Sequence, residues 1–275
     1  MSGNLYIVAT PIGNLEDITL RAIRILKEVD LIAAEDTRHT LKLLNHLNIS
    51  KPLVSYYKEI EKTKSNLLIK ELLSGKNVAL VSDAGTPAIS DPGEELVKNA
   101  IKNNIKVFPI PGASALICAL VSSGISTKAF EFIGFLPVNK KQKEEKLNEY
   151  KNNTNTLIFY EAPHKLNQTL TDIYNVLGDR FICLAREITK IHEEYIRGNI
   201  SELIEKLDEP KGEFVIIVEG ANKTKKEAKV EELNELKLEE HYKYYEEMGY
   251  DKKEIIKLIA KDRNVNKNEI YKKFI

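Results

Sequence analysis

The sequence predicts an α/β fold, and three observations carry that reading. Short apolar runs of strand length recur, each followed by a loop and then by a segment with an apolar face at helical spacing. Three of the loops in the first half are built alike from proline, glycine and small polar residues: Thr10-Pro11-Ile12-Gly13-Asn14, the stretch from Ser82 to Gly93, and Pro111-Gly112-Ala113-Ser114. In sheets of this class ligands sit at the carboxyl ends of the strands, so three such loops on one sheet would line one crevice. The 275 residues are enough for roughly two domains of this kind.

Bulk properties narrow the field. Lysine plus arginine number 41, as do aspartate plus glutamate. The cancelled net charge gives no global argument for nucleic acid or membrane, and local charge must be read instead. Cys118 and Cys183 stand in apolar company, with no zinc spacing or disulfide framework. They read as buried structural thiols in a reducing compartment. The apolar run after the N-terminus ends at Pro11, too short for a signal or a membrane span. The expectation is a soluble cytoplasmic protein.

Residues 5–9 form the first strand. The loop after it holds one glycine, so it is no G-x-G-x-x-G fingerprint, and a P-loop is absent; both argue against a standard dinucleotide or nucleoside triphosphate site. A helix over 19–26 follows, with Asp17 near its start as a cap. Residues 31–34 form a strand that ends in six polar residues, Glu35 to Thr40. Asp36 or Thr37 suits the cap of the next helix, running to 47. Glu35, Arg38 and His39 are either surface charges or part of a site. Residues 54–57 read as a strand and 63–73 as an amphipathic helix ended by Gly75.

The strand over 78–81 leads into the loop around which the rest is organised. Its twelve residues, 82–93, exceed the roughly 2–6 typical of such connections. Gly85 and Gly93 permit positive φ, and Pro87 and Pro92 keep the loop from collapsing into helix. A helix from Glu94 presents Leu96, Val97, Ala100 and Ile101. After the strand over 107–110, Ser114 sits where a helix N-cap would. It either caps that helix, which runs to 121, or shares a free N-terminus with a ligand carboxylate.

The second half repeats the theme. Strands are expected over 130–135, 157–160, 181–185 and 213–219. The segment 140–151 is charged at most positions and reads as a solvated helix, or one facing an anionic partner. Leu166, Leu170, Ile173 and Leu177 mark a helix, and Ser201 suits the cap of another running to 207. From Lys223 the composition shifts, and helices are drawn over 231–247, 252–261 and 267–274. From Asp251 onward eight Lys/Arg face four Asp/Glu. Two short helices with that charge suggest a basic helix-turn-helix, or else a bundle with a solvated basic face. The domains are accordingly 1–113, 114–222 and 223–275.

Eight motifs in order, LYIVATPIGNLEDI, AAEDTRHT, VALVSDAGTPAISDPG, PIPGASA, FIGFLP, IFYEAPHKL, AREITK and GEFVIIVEG, cover most of the chain. Together they resemble the tetrapyrrole-methylase superfamily, the class III methyltransferases, and within it the members that act on ribosomal RNA. The resemblance implies two α/β domains with a cofactor cleft between them, plus a C-terminal helical extension like a helix-turn-helix. It implies S-adenosylmethionine as cofactor, S-adenosylhomocysteine as product, and usually a homodimer. By position it carries cofactor contacts onto Pro11, Gly13, Asp83, Ala84, Gly85, Ile89, Ser90, Ser114, Ala115, Tyr160, Phe214 and Val215. Small-molecule members usually show Gly-Asp-Pro where this chain has Asp83-Ala84-Gly85, which looks like the RNA-type variant.

The implied reaction is 2′-O-methylation of a cytidine ribose in the decoding region of 16S ribosomal RNA, within the small ribosomal subunit. It needs the methyl, the sulfur and the attacking oxygen in line. It also needs a group to orient the hydroxyl or take its proton, worth about 10²–10⁴-fold. Asp36, Glu161 and Glu187 are candidates for that group. Arg38, Arg186 and Lys190 are candidates to bind phosphate or lower the hydroxyl pKa, and His164 is a further candidate base whose Pro163-His164-Lys165 context also suits a contact with the RNA backbone. No metal is called for. Two other readings stand beside this one: methylation of a tetrapyrrole precursor, which needs no helix-turn-helix, and a non-catalytic RNA-binding protein on a methylase scaffold.

Overall fold

The computed structural model describes residues 2–207, 210–222 and 225–274. The chain forms two compact units, Met1–Gly220 and Ala221–Ile275. The boundary expected at 113/114 falls inside the first unit, between its two sheets. The one expected at 222/223 adjoins residues 223 and 224, which lie outside the described residues.

The first sheet is parallel throughout, in the order β3-β2-β4-β1-β5. It is built from β1 (Leu5–Val8), α1 (Leu20–Glu28), β2 (Leu31–Ala34), α2 (Thr37–His46), β3 (Leu53–Ser55), α3 (Glu61–Leu73), β4 (Val78–Val81), α4 (Glu94–Lys102) and β5 (Val107–Ile110). All four residues of the central β4 are buried, as a parallel strand covered on both faces must be. One face is covered by Ala22, Ile25 and Leu26 of α1 with Leu44 of α2. The other is covered by Leu68, Ile69 and Leu72 of α3 with Leu96 and Ala100 of α4. β1 and β4 are neighbours, and their connections leave in opposite directions, toward β2 and toward β5. Such a switch point opens a crevice at the carboxyl ends of the two strands.

The second sheet, in the order β6-β7-β10-β8-β9, pairs β6 with β7 in parallel and is otherwise antiparallel. Its elements are α5 (Ala115–Ser122), β6 (Phe130–Phe135), α6 (Lys140–Glu149), β7 (Thr156–Glu161), α7 (Leu166–Leu177), β8 (Phe181–Arg186), β9 (Glu194–Asn199), α8 (Ile200–Lys206) and β10 (Phe214–Val218). Leu116, Ala119 and Leu120 of α5 pack on Ile158, Cys183 and Val215. The opposite face, with Phe159 and Ile216, takes Leu166, Leu170 and Ile173 of α7.

Several expectations are corrected. β9 is a strand the sequence did not announce, because Glu194-Tyr195-Ile196-Arg197-Gly198-Asn199 is an edge strand of mostly polar residues. Thr19, not Asp17, caps α1, its hydroxyl accepting from the Ala22 N–H at 3.1 Å; Asp17 ends a short 3₁₀ turn instead. Ser201 does not cap α8: Asn199 holds that place, and the Ser201 hydroxyl donates to Asp179 at 2.8 Å. In α6, Lys143 is buried, so that helix is not solvated all round. Cys183 is buried as expected, whereas Cys118 is half-buried.

The second unit holds α9 (Lys225–Glu235), α10 (Leu238–Glu247), α11 (Lys252–Asp262) and α12 (Lys267–Tyr271). The helix expected over 231–247 is thus broken at Leu236 and Lys237. Asp251 caps α11 through a reciprocal box with Glu254. Ile255, Ile256 and Ile259 of α11 close on Ile270 of α12. Among the described residues no helix is long and apolar enough to cross a membrane.

Candidate functional site

The three loops at the carboxyl end of the first sheet are bonded to one another. Thr10 and Gly85 exchange backbone hydrogen bonds, Thr10 N–H to Gly85 O at 2.9 Å and Gly85 N–H to Thr10 O at 3.1 Å. The Thr10 hydroxyl donates to Ser82 O at 3.2 Å, and the Thr86 hydroxyl donates to Ala113 O, also at 3.2 Å. Gly85 has φ +83°, and a Cβ there would stand 3.2 Å from Ile12 Cγ2. Conformation and space both select glycine.

Between these loops and the ends of β7 and β10 lies a cavity of ≈ 560 Å³. From the first-sheet side it is lined by Ile12, Ala84, Gly85, Thr86, Ile89, Ser90 and Asp91, and by Ser114, Ala115 and Leu116 at the start of α5. From the second-sheet side it is lined by Phe135, Tyr160, Glu161, Ala162, Pro163, His164, Ile188, Glu213, Phe214 and Val215. Eleven of the expected residues therefore meet here: Ala84, Gly85, Ile89, Ser90, Ser114, Ala115, Tyr160, Glu161, His164, Phe214 and Val215. Ser114 is the N-cap of α5, yet its side chain makes no capping bond, so its hydroxyl is left for a ligand, while the Leu116 N–H of the first turn is engaged by Tyr160.

The cavity carries both apolar and polar lining. Tyr160 stands edge-on to Phe132 and Phe135, at 4.9 and 5.6 Å between ring centroids, and with Ile12, Phe214 and Val215 it makes an apolar wall suited to a flat ring. Ser90, Asp91 and Glu161 supply polar groups. Burial pushes the Asp91 carboxyl above the usual carboxylate range, against the hydrogen bond from Ser82. Burial likewise raises Glu35 close by, helped by the charges of Asp91 and Asp83. The lining thus offers apolar rings, an uncapped Ser114 hydroxyl and carboxylates to a ligand.

Other expected residues lie outside this cavity. Pro11 and Asp83 line a separate pocket of ≈ 220 Å³ with Thr10, Leu15, His39, Lys42 and Leu43. The Asp83 carboxylate accepts the Asp36 N–H at 3.1 Å. Asp36 caps α2 by accepting the Arg38 N–H at 2.8 Å, and it grips the Arg38 guanidinium at 2.8 and 3.1 Å. Those bonds hold the Asp36 carboxyl down to about 2. Neither Asp36 nor Arg38 lines the main cavity.

Lys190 and Gly13 do not line the cavity either; they touch each other, and Lys190 reaches Glu213, which does line it. The Lys190 ammonium bridges Glu187 at 3.0 Å and Glu213 at 3.1 Å. Burial works against its charge, but the two carboxylates outweigh that and hold the ammonium above its ordinary range. Glu187 is held below the usual carboxylate range by the Glu213 N–H and Lys190. Sequence reasoning passed over Ile12, Thr86, Phe135, Ile188 and Glu213 as lining residues. Ile12 and Thr86 were within reach, since both lie inside loops already singled out. Phe135 and Ile188 lie inside the FIGFLP and AREITK motifs, but nothing in those motifs marks which residue faces the cavity.

A family model described as Tetrapyrrole (Corrin/Porphyrin) Methylases matches residues 4–204. The chain is 52% identical over 271 residues to a protein of Halalkalibacterium halodurans named ribosomal RNA small subunit methyltransferase I, covering 98% of this chain and 93% of that one. It is 49% identical to the Bacillus subtilis protein of the same name, with the same coverage. Among solved structures it resembles the uroporphyrin-III C-methyl transferase of Thermus thermophilus complexed with S-adenyl homocysteine, with a TM-score of 0.56 and 20% identity over 78% of this chain and 97% of that one. The methyltransferase CobJ superposes with a TM-score of 0.59 and 16% identity over 81% of this chain and 97% of that one.

Proposed function

The chain belongs to the tetrapyrrole (corrin/porphyrin) methylase family, and from that premise we propose that it methylates small-subunit ribosomal RNA with S-adenosylmethionine. More finely, the acceptor we propose is the 2′-hydroxyl of a cytidine in the decoding region of 16S RNA, with the small ribosomal subunit as setting and a cytoplasmic homodimer as the acting form. One observation carries the choice of substrate class. The relatives named for ribosomal RNA match 98% of this chain, including the helical second unit, at about half identity. The neighbour named for uroporphyrin covers 78% at 20%.

The ≈ 560 Å³ cavity suits the cofactor in size and in polarity. When bound, it supplies an electrophilic methyl on a sulfonium. The residues of this chain do the rest. Tyr160, Phe214 and Val215 would flank the adenine, and Ala84, Gly85, Ile89 and Ser90 would follow the chain of the molecule. Ser114 would receive its carboxylate. Glu161 would orient the ribose hydroxyl and accept its proton. Arg38, His39 and Lys42 lie exposed on α2, where a phosphate backbone could be held. Asp36 holds Arg38 in place for that work, and Lys190 would fix Glu213, which lines the cavity. We assign residues 1–113 and 114–222 as the two domains flanking the cleft.

The test is transfer of labelled methyl from S-adenosylmethionine to small-subunit particles, to free ribosomal RNA and to a porphyrin precursor. The expected result is label in RNA, with resistance to alkaline cleavage beside the modified nucleotide. Label only in the precursor would overturn the reading.

A further inference from the structure

Lys143 is out of place in α6. That helix keeps most of its charged residues in water, but Lys143 is 8% exposed and shares the buried face with Leu147 one turn on. An apolar residue would serve packing there at least as well. Replacing a buried ion pair by apolar groups of similar shape is commonly neutral or stabilising, so stability alone does not account for this lysine.

Its contacts lead to the cavity. Lys143 Nζ lies 3.0 Å from Asp172 Oδ2, and the two side chains are 10% and 14% exposed. The same ammonium donates to Thr169 Oγ1 at 3.4 Å. Thr169 and Asp172 stand three residues apart on α7, hence on one face. Thr169 Oγ1 in turn lies 2.6 Å from Glu161 Oε2. Glu161 ends β7, is 6% exposed, and lines the cavity. Its other oxygen accepts the Ala162 N–H at 2.9 Å.

The direction of this chain is fixed by valence. An ammonium only donates, so the Thr169 oxygen must accept from Lys143, and its single proton is left for Glu161. Asp172 holds the ammonium in turn. Each Glu161 oxygen thus receives one fixed donor and keeps lone-pair capacity for a further one.

We propose that Thr169, set by the Lys143–Asp172 pair, is a positioning residue that fixes the Glu161 carboxylate toward the substrate hydroxyl. This rests on the function proposed above. As the ribose oxygen bonds to the methyl carbon and the carbon–sulfur bond breaks, the hydroxyl proton passes to a Glu161 oxygen and from there to solvent. The network prevents that carboxylate from swinging out of line.

The experiment compares the full-length wild-type chain with Thr169→Val, Thr169→Ser and the pair Lys143→Met/Asp172→Leu. The readouts are kcat and KM on small-subunit RNA, S-adenosylhomocysteine affinity by calorimetry, and Tm. Thr169→Val keeps the shape and loses the donor; kcat is expected to fall about 10–100-fold, less than the about 10²–10⁴-fold that a positioned base supplies, because the base itself remains. KM and product affinity should stay within about 2-fold, and Thr169→Ser should restore most of kcat. The apolar pair should keep or raise Tm while lowering kcat. Wild-type kcat in Thr169→Val or in the apolar pair overturns the proposal. So does an equal loss in Thr169→Ser, or a loss that follows product affinity or Tm. A wild-type chain that methylates no RNA overturns the functional reading and this proposal together; active wild type with unaltered variants overturns this proposal alone.

Discussion

The Lys190 side chain occupies the space that a side chain on Gly13 would need: a Cβ built on Gly13 stands 2.6 Å from Lys190 Cγ and 3.0 Å from its Cε. Gly13 belongs to the loop after β1, and Lys190 to the loop between β8 and β9. This contact brings loops of the two sheets together, and the Lys190 bridge to Glu187 and Glu213 ties it to Glu213, which lines the cavity. Gly13→Ala should therefore act through Lys190. It should lower S-adenosylhomocysteine affinity in the wild-type background and do much less in Lys190→Ala, where the space is free. A double-mutant cycle by calorimetry reads this, with a coupling of about 0.5–3 kcal/mol expected for residues in contact. Additive effects would show that the two residues act separately.

Asp91 gives a pH-dependent prediction. Burial raises its carboxyl above the ordinary 3.8. The folded chain therefore binds that proton more tightly than the unfolded chain. Stability from this group is greatest at low pH and falls as pH rises from about 4 through the raised value. Asp91→Asn removes the penalty. Tm should rise by ~2–4 °C at pH 7 and change little at pH 4 in thermal melts. A lower Tm at pH 7 would mean that the ionised carboxylate is needed by its neighbours.

The first sheet was legible because its signals are local. A parallel strand buried on both faces, such as Val78-Ala79-Leu80-Val81, must be apolar throughout, and the loops that carry a site must hold unusual backbone. That is also why Gly85 and Ser114 could be placed in the site. β9 was not legible: Glu194 and Arg197 lie on an edge strand, whose pattern is set by one neighbour, β8. Lys143 was hidden because a single buried lysine in a charged helix looks like its solvated neighbours. Only the arrival of Thr169 and Asp172 on α7 distinguishes it. The separation of Asp36 from the main cavity is tertiary as well, since it follows from Asp83 turning its carboxylate toward the start of α2.

In the second unit His241 is fully buried, between the Asp262 carboxylate at 3.3 Å and the Arg263 guanidinium, which donates to its Nδ1 at 3.2 Å. Tyr245 also donates to Asp262. Accepting from Arg263 leaves the ring neutral, with its one proton on Nε2 facing Asp262. Burial and the Arg263 charge push it below the ordinary 6.5, outweighing Asp262. The unfolded chain thus binds the proton more readily, and stability is lost as pH falls below about 6.5. Hydrogen exchange of α10 and α11 should accelerate at pH 5.5 relative to pH 7, after correction for intrinsic rates. Unchanged protection would show that His241 titrates alike in both states.

α12 is the element we expect to meet RNA phosphates. Ile270 ties it to the isoleucines of α11, while Lys267, Lys272 and Lys273 are exposed and, among the described residues, form no ion pair. Cations kept in water at the start of a short helix and just after it contribute little to stability, but each can release a counterion on meeting a phosphate. Changing all three to glutamine should leave Tm within ~1 °C, since exposed positions seldom matter to folding. RNA affinity should fall, and the slope of log affinity against log salt should become shallower by about 2, because each phosphate left without its lysine removes roughly 0.7–0.9 from that slope. Cofactor affinity should not change, because the cavity is lined wholly by residues of the first unit. A salt slope equal to wild type would place α12 away from the RNA and leave the exposed cations of α2, Arg38 and Lys42, as the stronger site for backbone contact.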